Sequence, residues 1–246
     1  MKPDKILLGV LGGLGPMSTF RFCELLTSHT RATSDADHID MLISSRATTP
    51  DRTAFILGRS DSDPLPVMLE EANRLVSGGA NLLVIPCNTA HYFYKGLSEK
   101  LPVPMLNIIE QTVLHLKRSG VGSFGLLATE GTVSSRAYET ICRQHGLSCL
   151  LPTPEQQATV SSVIYEEIKQ NRPANITALS EIARDLQARG AERLVLGCTE
   201  LSLIKQQLSP DLPVLDSLEV LAYQTILACH KMPIGFPSEF DIGGTL

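Results

Sequence analysis

The sequence has no excess of basic residues. Lysine and arginine number 21 against 26 aspartates and glutamates, a formal charge of −5. That excludes a protein that tracks a nucleic-acid backbone through a basic stripe. It has no uninterrupted apolar run approaching about 20 residues, so no membrane-spanning helix is predicted. It contains no C-x-x-C, and no group of cysteines and histidines has zinc spacing, so no metal is expected. Nor does it open on a secretion signal. Met1–Lys5 runs straight into Ile6–Leu11, which is too short and glycine-rich for a signal core. A cytoplasmic protein is therefore expected. Its six cysteines are expected as thiols rather than as a disulfide framework.

What remains is an ordinary globular composition, 43% apolar and 19% charged over 246 residues. The length suits one large or two small domains. Short apolar runs read as strands at Ile6–Leu11, Ile39–Ser44, Leu82–Pro86, Met105–Ile108, Phe124–Ala128, Leu147–Leu151, Arg193–Gly197 and Val214–Asp216. Between them lie helix-period stretches, among them Leu65–Ser77, Val133–His145, Thr159–Lys169, Ile176–Arg189 and Ser217–His230. Alternation of this kind predicts βαβ units and parallel sheets.

The chain also repeats. Glu70–Cys87 (EEANRLVSGGANLLVIPC) matches Glu181–Cys198 (EIARDLQARGAERLVLGC) at eight of 18 positions, at an offset of 111. Leu101–Glu110 continues the match to Pro210–Glu219 at an offset of 109, and Gly9–Gly13 (GVLGG) weakly matches Gly125–Thr129 (GLLAT). A unit used twice predicts two similar parallel-sheet α/β domains. The division expected is residues 1–112 plus 212–231, residues 113–211, and a proline- and glycine-containing tail, 232–246, outside the α/β core.

Both repeats end on a cysteine just past a strand, Cys87 and Cys198, followed by a polar pair and a helical stretch. Ligands of open α/β sheets bind at such strand ends. A helix N-terminus there lowers a thiol pKa and offers N–H groups to a carboxylate. Two thiols facing each other across a cleft suit one reaction especially well. One removes a proton from a carbon and the other delivers a proton to the opposite face, inverting the centre. The bland alternative makes both cysteines packing relics of the repeat. His91, four residues after Cys87, could instead form a Cys–His hydrolase dyad or serve structurally. Gly12–Gly15 lacks the G-x-G-x-x-G pattern, and Pro16 favours a tight strand–helix turn over a nucleotide loop.

Four motifs, in order, resemble the aspartate/glutamate racemases, cofactor-independent enzymes that use two cysteines. They are GGLGPMST (Gly12–Thr19), PDRT (Pro50–Thr53), PCNTAH (Pro86–His91) and GCTEL (Gly197–Leu201). PDRT resembles the aspartate racemases in particular, and the likeness extends to about Lys231. The resemblance implies two α/β domains related by a pseudo-twofold axis with the active site in the cleft between them, forming a homodimer that needs no pyridoxal phosphate and acts on a small-molecule amino acid. It makes Cys87 and Cys198 the acid/base pair. It makes Asn88, Thr89 and Thr199 donors to the substrate α-carboxylate, with Thr129 lining the site. Arg52 would grip a side-chain carboxylate, with Lys169 near it. Without the resemblance, Arg52 reads as a solvated loop charge and Lys169 as a helix-end cation. The rival functions are a broad-specificity racemase, a maleate-isomerase-like enzyme, a Cys–His amide hydrolase and a non-catalytic ligand-binding protein.

Overall fold

The computed structural model describes residues 5–240. The first half runs β1 (Leu7–Gly12), α1 (Pro16–Ser28), β2 (Asp40–Ser45), α2 (Arg52–Ile56), α3 (Pro64–Ser77), β3 (Leu82–Val84), α4 (Tyr94–Ser98), β4 (Met105–Leu106) and α5 (Ile108–Arg118). The second runs β5 (Ser123–Leu127), α6 (Glu130–Ser134), α7 (Ala137–His145), β6 (Ser148–Leu150), α8 (Pro154–Ser162), α9 (Ile176–Ala188), β7 (Arg193–Leu196), α10 (Thr199–Ser202), β8 (Val214–Asp216) and α11 (Ser217–Ala228). They form two four-stranded sheets, β2-β1-β3-β4 and β6-β5-β7-β8, in which every pair is parallel. The central strands are apolar on both faces, as a sheet covered by helices on each side requires.

The repeat is a packing repeat. Gly9 pairs with Leu83 in the first sheet, and Gly125 with Leu194 in the second. A Cβ on Gly9 would lie 3.3 Å from Leu75 Cβ, and one on Gly125 would lie 2.9 Å from Leu186 Cβ. Each glycine lets the helix before the third strand of its sheet press onto the first strand. The weak GVLGG/GLLAT match thus records one close approach made twice.

The expected division grouped residues 212–231 with the first domain, and the structure splits them. β8 pairs with β7 in the second sheet, as β4 pairs with β3 in the first. The following helix, α11, does cross over, packing on α1 and α5, while α5 packs on α7 of the second half. One core of buried side chains therefore contains Leu8, Phe22 and Val113 from the first half and Phe124, Leu126 and Leu221 from the second. The tail is also part of this core as far as it is described. Phe240 is 2% exposed and stacks with Phe236, Tyr223 and His115, and Ile234 N–H donates to His29 O. Residues 241–246 lie outside the described residues. Two aromatic rings, Phe236 and Phe240, supply the apolar area that anchors this proline- and glycine-containing segment.

Two expected helices are interrupted. Val133–His145 breaks at Arg136, whose φ of 54° is left-handed, so α6 ends and α7 starts anew. Thr159–Lys169 is the end of α8, a π-turn at Val163–Glu167 and a 3-10 turn at Ile168–Gln170. π-turns of this kind recur at functional sites, and this one carries Tyr165 and leads into Lys169.

Candidate active site

The carboxyl ends of both sheets meet over a narrow cavity of about 10 Å³. All eight residues that the family resemblance assigned to the site line it: Arg52, Cys87, Asn88, Thr89, Thr129, Lys169, Cys198 and Thr199. Leu14, Asp51, Thr53, Tyr165 and Glu200 complete the lining and were not foreseen. Glu200 lies within the quoted GCTEL motif, so only its contacts could reveal it. Tyr165 has no signal in the sequence, because the π-turn is what brings it to the cavity.

The turn after β1 closes tightly, as Pro16 predicts. Gly13 N–H donates to Thr19 Oγ1, which in turn donates to Gly15 O, and Pro16 begins α1. The PDRT motif has a division of labour. Asp51 caps α2 by accepting from Ala54 N–H at 2.7 Å. Thr53 packs against Gly131 of α6, joining the two halves. Arg52 is 8% exposed, and its Nη1 is held by Thr49 O at 3.1 Å and Pro50 O at 2.9 Å. Its buried Nε has no partner. A guanidinium anchored at one nitrogen, with an unsatisfied N–H, is prepared for an anion.

The hydroxyls of Thr89, Thr129 and Thr132 form a closed triangle with sides of 2.8, 2.9 and 3.0 Å. Each hydroxyl brings one proton, so an arriving carboxylate can turn one of them outward. Asn88 is more committed. Its Oδ1 accepts from Tyr138 OH at 2.7 Å, and its Nδ2 donates to Ser217 Oγ at 2.9 Å. One amide hydrogen remains. Thr199 Oγ1 donates to Pro86 O at 3.3 Å, linking the loops of the two cysteines.

Cys87 is 6% and Cys198 is 4% exposed. Both thiols stand above the ordinary thiol pKa, contrary to the helix-dipole expectation. Burial is the main cause at each. At Cys87 the Arg52 charge opposes burial, the Glu200 charge adds to it, and the Ala90 N–H and the Lys169 charge pull down and lose. At Cys198 the Glu200 carboxylate adds to burial, and Lys169 opposes it. Desolvation of a thiolate outweighs two or three dipoles at a short helix end. Lys169 Nζ lies 3.7 Å from Glu200 Oε1 and 4.4 Å above the Tyr165 ring. Burial opposes its charge, but Glu200 and Tyr165 raise its pKa overall.

His91 does touch the Cys87 residue, at its backbone. Nδ1 lies 2.8 Å from Cys87 O, and Ile108 N–H donates to Nε2 at 3.2 Å. Nε2 must accept, so Nδ1 carries the hydrogen. Burial pushes the imidazole pKa down to about 4. A neutral ring with both nitrogens engaged is no base for the Cys87 thiol, which removes the geometry of a Cys–His dyad. Among the described residues, no three His, Cys, Asp or Glu side chains are grouped to hold a metal ion. No helix there is long and apolar enough to cross a membrane.

The fold has counterparts among solved structures. The Picrophilus torridus aspartate racemase superposes with a TM-score of 0.80 at 29% identity, covering 96% of this chain and 98% of that one. Glutamate racemase from Thermus thermophilus in complex with β-chloro-D-alanine gives 0.60 at 25% identity, over 92% of this chain and 81% of that one. In sequence, the broad specificity amino-acid racemase RacX of Bacillus subtilis (strain 168) is 28% identical over 226 residues, 89% of this chain and 96% of its own. The family model for Asp/Glu/Hydantoin racemase matches residues 11–225. With that match over most of its length and this two-sheet fold, the chain belongs to the Asp/Glu/hydantoin racemase family.

Proposed function

We propose that this protein racemises an acidic amino acid, aspartate first and glutamate second, with Cys87 and Cys198 as the two acid/base groups and no pyridoxal phosphate. One observation carries the reading. Two buried cysteines, from equivalent strand ends of two sheets, line a single cavity with an arginine whose Nε lacks a partner. The substrate Cα would lie between the sulfurs. One thiolate takes the Cα proton, and the other thiol donates its own to the opposite face. Thr89, Thr129, Thr199 and the free amide hydrogen of Asn88 receive the α-carboxylate. They fix the C–H direction and stabilise charge that grows there as the proton leaves. Arg52 receives the side-chain carboxylate, with Lys169 adding positive charge on that side.

The name of the Bacillus subtilis relative supports a second reading, a broader amino-acid substrate range. A methylene more or less in such a pocket is worth only about 1–3 kcal/mol. A maleate-isomerase-like reaction ranks lower, because both motif positions carry cysteine. The hydrolase ranks lowest, since His91 is spent on the backbone. Six free thiols fit a reducing cytoplasm, and a homodimer is the assembly the family resemblance implies.

The test is Cα deuterium exchange of L- and D-aspartate in deuterium oxide without added cofactor, with glutamate and neutral amino acids alongside. Exchange with inversion by wild type, and loss of racemisation in both Cys87→Ala and Cys198→Ala, is the expected result. Binding without exchange on every amino acid from folded protein would sink the reading in favour of a ligand-binding protein. Sedimentation at several concentrations checks the dimer.

A further inference from the structure

The two cysteines have different neighbours at hydrogen-bond distance. Cys198 Sγ donates to Glu200 Oε2 at 3.0 Å. The other oxygen of that carboxylate, Oε1, is buried without a hydrogen-bond partner. Lys169 Nζ, at 3.7 Å, attracts it by charge but is too far to donate a hydrogen bond. Oε1 rests over Gly15, where a Cβ would collide with it. The same Cβ would lie 3.4 Å from Ser18 Oγ. Ser18 is fully buried, and its hydroxyl also lacks a partner. Two orphaned oxygens thus flank one point on the glycine turn. Buried orphans of this kind call for an occupant such as water. An open groove lined by Gly13, Gly15, Ser18, Lys169 and Glu200 adjoins that point.

Cys87 has nothing comparable. Two residues beyond it stands Thr89, whose hydroxyl is held in the threonine triangle. Four residues beyond it stands His91, spent on the backbone. No carboxylate among the described residues hydrogen-bonds its sulfur.

The geometry points to Glu200 as the proton relay of Cys198 alone, exchanging that thiol's proton with solvent through the Gly15–Ser18 side, while Cys87 keeps the proton it takes. This rests on the racemase reading for its role in turnover. The step is a proton transfer only. The S–H bond breaks with its electron pair left on sulfur, an O–H bond forms on Glu200, and the reverse transfer restores the thiol from solvent. Charged and titratable groups lining the cavity with Cys198 are Glu200, Lys169 and Tyr165 from its own half, and Cys87, Arg52 and Asp51 from the other.

Two measurements test it. The first needs no turnover. Thiolate absorbance is titrated in wild type, Glu200→Gln and Glu200→Asp, each with and without Cys198→Ala, because the Glu200 charge also raises Cys87. The Cys198 midpoint, obtained by difference within each pair, is expected to fall by about one unit or more in Glu200→Gln. It should stay near wild type in Glu200→Asp. A midpoint that does not move in Glu200→Gln overturns the relay. The second measures deuterium in the unreacted pool of each enantiomer early in racemisation in deuterium oxide. The enantiomer deprotonated by Cys198 should regain deuterium, and the other should regain protium, a several-fold difference that Glu200→Gln abolishes. Racemisation has an equilibrium constant of one, so kcat/KM must stay equal for the two enantiomers. Any asymmetry the variant introduces between enantiomers therefore appears in kcat and KM separately. Equal washout for both enantiomers in wild type, or unequal washout surviving in Glu200→Gln, overturns the proposal. Absence of exchange on any amino acid defeats the racemase reading instead, and the titration still decides whether Glu200 governs the Cys198 proton.

Discussion

The two halves tie down their cysteine loops by different chemistry. In the first, His91 bridges Cys87 O and the N–H of Ile108, the first residue of α5. In the second, the residue at the equivalent place is Ser202. Its hydroxyl donates to Asp216 Oδ1 at 2.7 Å, and the same oxygen accepts from Leu218 N–H at the start of α11. Each clamp joins a cysteine loop to the helix after the last strand of its sheet. One uses a buried neutral base, the other a buried acid. Burial holds His91 down at about 4. Burial, followed by the charge of Glu219, holds Asp216 up at about 6. The same scaffold demand, to order a strand-end loop, is thus met with opposite responses to pH.

The largest effect should come from the cysteines themselves. Cys87→Ser and Cys198→Ser are each expected to lower racemisation by about 10²–10⁴-fold, measured by polarimetry or chiral chromatography. If only one of them does, the halves are not chemical equivalents, and the two-base reading fails.

Next comes the first clamp. His91→Ala leaves Cys87 O and Ile108 N–H unpaired in a buried place, at about 1–3 kcal/mol for each unsatisfied group. Urea unfolding at pH 7 checks this. The folded imidazole resists protonation while the unfolded one titrates near its usual value of about 6.5. Stability is therefore full above about 6.5 and falls as pH drops towards about 4, by about 3 kcal/mol from this ring. His115, buried beside Phe240 and also held down at about 4 by burial, adds loss of the same sign. A variant with both histidines replaced should lose stability at pH 7 and show a flatter profile between about 6.5 and 4.

Gly125→Ala should cost about 1–3 kcal/mol by overpacking against Leu186, and Gly9→Ala a similar amount. A large disparity in thermal unfolding between them would break the packing equivalence of the halves.

The smallest effect belongs to the second clamp. The folded Asp216 binds a proton more readily than the unfolded one, so its charge opposes folding above about 6. That opposition is relieved as pH falls towards about 4. Asp216→Asn keeps an oxygen for Ser202 and Leu218. It should leave stability at pH 7 unchanged or raise it by about 1 kcal/mol. Destabilisation beyond that at pH 7 would show that the charge itself holds the clamp.

Much of this was legible without coordinates. The eight strands and the strand-end placement of both cysteines follow from local patterning, because strand periodicity and turn chemistry are properties of neighbouring residues. The repeat located the paired cysteines, and the motif resemblance named Arg52 and Lys169. What escaped notice depends on contacts between distant segments. Tyr165 reaches the cavity through a π-turn that no propensity announces. Thr132 joins Thr89 and Thr129 only because α6 lies against the loop of the first cysteine. Thiol acidity shifts opposite to what a helix end predicts, because a helix end is visible in sequence and desolvation is not.

The chain by itself determined two parallel sheets, a repeated strand–cysteine unit and the chemical character of the cavity, since each is encoded within a few dozen contiguous residues. Tertiary structure alone decided that β8 stays in the second sheet, so that only α11 of the expected 212–231 segment crosses to the first half. It also decided that Phe240 closes a shared core, and that Glu200 rather than Thr89 sits against a cysteine sulfur. These are outcomes of how buried surfaces from separate segments fit together. Close packing is settled by the whole chain at once and not by any stretch of it.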